Sequence, residues 1–110
     1  MTLFQMLRQT GYEVSEGSFP DNINPNFPFI LYEIDSTQNF EADNYVYSTI
    51  RNVSVYLCVD GFRPDTTARV HLESILNSAH IPWEMSDAYK EEEEGLFVTV
   101  YDLRWCDGND

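Results

Sequence analysis

The sequence predicts an α+β domain with two helices packed on one face of an antiparallel β-sheet, in the order α-β-β-α-β-β. Three observations lead there. Residues 46–61, "VYSTIRNVSVYLCVDG", alternate apolar and polar side chains with a period of two. Residues 64–79 carry an apolar stripe at helical spacing. The segments "IPWEMSDAY" and "LFVTVYDLRW" read as two strands joined through a run of glutamates. At 110 residues the chain holds one core and one domain.

Each element follows from local chemistry. Thr2 and Gln5 match a capping box, and Leu3, Phe4 and Leu7 share one face, so a helix is expected over 3–9. Gly11 suits the left-handed position past its end. Pro20, Pro25 and Pro28 then break regular structure, leaving loop with at most a short strand near 12–16. "FPFILYEI" is apolar on both faces, which predicts a strand over 28–34 that is central or covered twice. "DSTQNFEADN" reads as a polar loop able to extend from the sheet as an arm.

In the next strand Val53, Val55, Leu57 and Val59 face one way, and Asn52, Ser54, Tyr56 and Cys58 the other. Asp60-Gly61 ends it, and Pro64 opens a helix at a position where its missing amide costs nothing. That helix runs to 79 with Ala68, Leu72, Ile75, Leu76 and Ala79 inward, packed on the Val53/Val55/Leu57/Val59 face. Gly95 is the corner of the final hairpin.

Charge narrows the possible partners. Nineteen acids against six bases give −13, and residues 84–110 hold nine acids and two bases, a local net of −7. Such a surface repels phosphate, which argues against nucleic-acid binding through a basic patch. Lys90 is the only lysine, so anionic membranes are equally poor partners. No apolar run approaches the roughly 20 residues that span a bilayer. Met1-Thr2 leads directly into a helical pattern, so no secretory leader is expected. Cys58 and Cys106 lie in strand-like segments and read as free thiols in a reducing compartment.

Catalytic chemistry finds little support. Four adjacent glutamates, Glu91 to Glu94, point in alternating directions and do not converge on a cation as calcium ligands must. His71 and His80 fit no metal-ligand spacing. No nucleophile elbow and no phosphate-cradling glycine loop is present. We therefore expect no enzyme, no metal and no cofactor. The aromatics Tyr45, Tyr47, Tyr56, Tyr89, Tyr101, Trp83 and Trp105 read either as sheet faces with hydroxyls at the rim or as a subunit interface.

The stretches "NFPFILYEI", "NFEADNYVYSTIRNVSVYLCVDGFRPD" and "IPWEMSDAYKEEEEGLFVTVYDLRW" carry a resemblance covering about Leu3 to Trp105. They resemble the tail-completion, or tail-terminator, proteins of long-tailed bacteriophages and prophages of Gram-positive hosts. The pattern is a helix ending in T-G, a P-[FY]-[IL]-x-Y-x strand, the N-F-x-A-D-N-x-x-Y segment, a strand and helix followed by "HIPW", and an acidic hairpin before a [FY]-x-V-x-Y-x-[IL] strand.

The resemblance implies two helices against an antiparallel sheet and a virion protein at the head–tail interface, made in the host cytoplasm. It implies a six-fold homo-oligomeric ring that caps the tail tube, ends its polymerisation and meets the head connector or stopper protein. Genomic DNA would pass without specific binding. On that reading Asp87, Glu91, Glu92, Glu93 and Glu94 line the bore or its rim. Asn39, Phe40, Glu41, Ala42, Asp43, Asn44, Tyr45 and Tyr47 then make subunit or tail-tube contacts. The alternatives are a neck or stopper connector protein, or a small acidic DNA mimic that occupies a host enzyme's DNA site.

Overall fold

The computed structural model of the chain describes residues 2–42 and 45–106, with side chains at 2–37 and 49–106. In order, the elements are α1 (Leu3–Arg8), β1 (Glu13–Glu16), β2 (Phe29–Ala42), β3 (Tyr45–Asp60), α2 (Thr66–Ser78), β4 (Trp83–Glu91) and β5 (Leu96–Cys106). The strands form one sheet in the order β1-β2-β3-β5-β4. β2, β3, β5 and β4 pair antiparallel, while β1 runs parallel to β2 through Glu13↔Phe29 to Glu16↔Tyr32.

This corrects the expected architecture. The sheet is mixed and five-stranded, and the domain is mostly sheet, without a two-helix layer on one face. Two physical causes account for the difference. The segment over 13–16 joins an existing sheet edge, where β2 supplies backbone partners that a four-residue strand lacks alone. And α1, at six residues, is under two turns long and cannot cover a sheet.

Local signals still set the helix ends. Thr2 Oγ1 accepts from the Gln5 amide at 3.1 Å, and Gln5 Oε1 accepts from the Thr2 amide at 2.9 Å, closing the capping box. Gly11 has φ +82 and its N–H reaches the Arg8 carbonyl at 3.0 Å. α2 starts two residues later than Pro64 suggests, because Asp65 is its N-cap and Asp65 Oδ1 accepts from the Ala68 amide at 3.1 Å.

The main core is a single cluster on one sheet face. Val53, Val55, Leu57 and Val59 pack there with Ile30, Tyr32, Tyr101 and Leu103, against Ala68, Leu72 and Leu76 of α2 and Leu3, Met6 and Leu7 of α1. A second cluster occupies the opposite face: Phe29, Cys58, Leu96, Val98 and Val100, with Phe19 from the loop before β2 packed against it. β2 therefore contributes to both clusters and sits between β1 and β3, as its two apolar faces predict.

Candidate functional site: a projecting hairpin and an acidic turn

The register makes β2 and β3 outrun the sheet. β3 pairs with β5 from Asp60↔Leu96 to Ile50↔Cys106. Its pairing with β2 continues through Asn39↔Thr49 and Phe40↔Ser48 to Ala42↔Tyr45, with a register shift between Phe40 and Glu41. Among the described residues, Tyr45–Thr49 thus pair with β2 alone, as a two-stranded arm. The "DSTQNFEA" stretch expected as loop is strand because β3 supplies its backbone partners, a pairing its own polar sequence does not announce.

The arm is fixed at its root. The register shifts between Ile34 and Ser36, and two side-chain bonds span the step. Asn52 Nδ2 donates to Ser36 Oγ at 2.7 Å, and Ser54 Oγ donates to Asp35 Oδ2 at 2.6 Å. Beside the root an open groove of about 350 Å³ lies between the start of α1 and the sheet, lined in part by Phe4, Tyr32, Ile34, Arg51 and Trp105.

Of the expected contact residues, Asn39, Phe40, Glu41 and Ala42 fall at the end of β2, and Tyr45 and Tyr47 at the start of β3. Their side chains lie outside the described ones, and Asp43 and Asn44 lie outside the described residues altogether.

The acidic residues occupy the other end. Glu91 closes β4, and exposed Glu92, Glu93 and Glu94 form the turn into β5. Gly95 sits at its corner with φ +69, where an L side chain is strained, and its N–H donates to the Glu91 carbonyl at 3.0 Å. The Gly61 N–H donates to the Gly95 carbonyl at 3.0 Å, tying this turn to the end of β3. Asp87 is apart from the turn, opposite Val100 on the face without helices. The structure brings Glu91 to Glu94 together and separates them from the arm by the length of the sheet.

Of the cysteines and histidines only Cys58 is buried, and none sits in a reactive setting. Burial first, and Glu94 second, push the Cys58 thiol up to about 12, which leaves no thiolate at neutral pH. His71 packs edge-on against Tyr12 with ring centroids 5.5 Å apart, and His80 is exposed in the turn after α2. Among the described residues, no group of three or more His, Cys, Asp or Glu is placed to hold a metal ion.

One polar network escaped the sequence pattern. Tyr101 Oη, on the largest fully buried side chain, donates to Glu73 Oε2 at 2.6 Å, and Arg69 Nε lies 3.6 Å from the same oxygen. Burial, followed by the Glu73 contact, raises the Tyr101 phenol. The available signal was Arg69 and Glu73, four apart on one helix and flanking the apolar stripe. Among the described residues, no helix is long and apolar enough to cross a membrane. No model of a known protein family matches the chain, and no curated protein sequence matches it either.

Proposed function

We propose that this chain is a virion structural protein of the head–tail junction, assembling into a ring that caps the tail tube and meets the connector. One observation carries the reading: among the described residues, 39–42 and 45–49 project past β5 as an arm with only its own two strands paired. A lone two-stranded ribbon is marginal in water and gains stability from a second surface. In a ring that surface is a neighbouring copy or the tail tube. The exposed Glu92–Glu94 turn sits at the far end, where carboxylates repel passing DNA phosphate.

The test replaces the arm. Gln38 and Ile50 are directly opposed, so an Asn-Gly pair in place of residues 39–49 closes the hairpin with a two-residue turn. Light scattering of the parent chain, alone or with tail-tube protein, is expected to give a closed ring. The shortened chain is expected to stay monomeric with its melting temperature nearly unchanged. A parent chain that stays monomeric in both settings, or a shortened one that still forms rings, rules the proposal out. Persistent monomers that capture a basic host enzyme would instead favour the DNA-mimic reading, which the net charge of −13 supports.

A further inference from the structure

The sheet face turned away from α2 is banded, and the banding follows from register. Across β2, β3, β5 and β4, Phe29, Cys58, Val98 and Tyr89 form one rung. Leu31, Tyr56, Val100 and Asp87 form the next. Carboxylates bracket these two rungs at both ends. Toward the arm lies the rung Glu33, Ser54, Asp102 and Glu84, with the Asp35 carboxylate hydrogen-bonded to Ser54. Toward the acidic turn lies the rung Asp60, Leu96 and Glu91. From Asp60 to Ser54 is six residues, about 20 Å of extended chain.

The apolar band is incompletely covered. Phe19 and Phe27 close over its Phe29 end, with ring centroids 5.5 and 5.3 Å away. Beyond them Leu31 and Tyr56 are half-buried, and Tyr89 is 41% exposed. Burial raises the Tyr56 phenol and Glu33 adds to it; burial and then Cys58 raise that of Tyr89, with smaller contributions from Asp87 and Glu91. An ion pair lies elsewhere, between Arg69 and Glu73 on α2.

We propose that this face docks an extended, cationic segment of a partner protein, with apolar side chains over Leu31, Tyr56 and Tyr89 and arginines or lysines on the two carboxylate rungs. Charge complementarity selects that occupant. A second copy would bring another face of the same sign from a chain at −13, and nucleic acid would meet carboxylates at both ends. Arginine gains twice here, pairing with carboxylates and stacking on tyrosine rings. The segment needs cations about six residues apart to span the roughly 20 Å between rungs. The arm and the ring play no part in this inference.

A peptide titration of the full ¹⁵N-labelled chain tests it. The probe is an eight-residue peptide with arginine at its first and seventh positions and alternating leucine and threonine between. Its control carries glutamate in place of arginine. The arginine peptide is expected to shift the amides of Tyr56, Tyr89, Val98 and Val100, and the control is not. Combining Glu33→Gln, Glu91→Gln and Asp102→Asn should weaken binding about tenfold, or about 1.4 kcal/mol, with the melting temperature held.

Three results overturn the proposal. One is equal response to both peptides, and another is no shift on this face or shifts centred on Glu13, Glu16 and Asp21. The third is broadening of the same amides with protein concentration alone, which would mean a second copy sits there.

Discussion

Cys58 and Tyr101 show what burial does to titratable groups in this sheet. The Cys58 thiol titrates near 9 when exposed and is pushed up to about 12 by burial. The folded state therefore holds this proton longer than the unfolded chain. The stabilisation is intact below pH 9 and is lost as pH rises toward 12, with a slope near 1.4 kcal/mol per pH unit. Urea unfolding at stepped pH should show that slope in the parent chain, reduced by one proton's worth in Cys58→Ala. Identical slopes would remove burial as the controlling factor. Tyr101, also raised, adds its own loss above pH 10. Tyr101→Phe deletes the donor to Glu73, and chemical denaturation should register a loss of about 1.5 kcal/mol, the worth of a bond to a charged acceptor. Cys106 is half-buried and Cys58 is 4% exposed. A thiol reagent at neutral pH should modify Cys106 within minutes and Cys58 only on unfolding; equal rates would mean the sheet face is open at Cys58.

At the scale of elements, α2 depends on its boundary. Asp65→Ala removes the side chain that caps the Ala68 amide and should cost about 1 kcal/mol by thermal melting, with Asp65→Asn nearly neutral. α2 and β3 were legible because one buried face imposes a period, 3.6 for the Ala68/Leu72/Leu76 stripe and 2 for Val53/Val55/Leu57/Val59. β1 was less so: four residues carry too little pattern, and the parallel pairing to β2 is a long-range choice. The outer half of β2 was opaque for a different reason, since its strand state rests on pairing with β3 and its polar sequence carries no period of its own. The banded face was half legible. The alternation set Asn52, Ser54, Tyr56 and Cys58 apart, but the carboxylate rungs need the partners that register assigns, Glu33 and Asp102 beside Ser54, and Leu96 and Glu91 beside Asp60.

Across the whole molecule, the arm and the glutamate turn lie at opposite ends of one axis. The longest dimension is 52 Å, with the arm at one end of β3 and the glutamate turn at the other. Every copy carries −13, so the proposed assembly would proceed against self-repulsion, and the contacts that drive it would have to be those that salt leaves intact. Raising ionic strength from about 0.01 to about 0.1 M shortens the screening length from about 30 to about 10 Å. Ring formation through the arms should therefore strengthen with salt, read by light scattering at fixed protein concentration. The chain lacking residues 39–49 should remain monomeric at both salts. Docking of the arginine peptide on the banded face runs the other way, because screening weakens attraction between opposite charges. Opposite salt dependences of the two equilibria, measured on one preparation, would assign them to different surfaces. Assembly that dissolves with salt would mean the copies are held by charge pairs, and the arm would then lose its place as the assembling element.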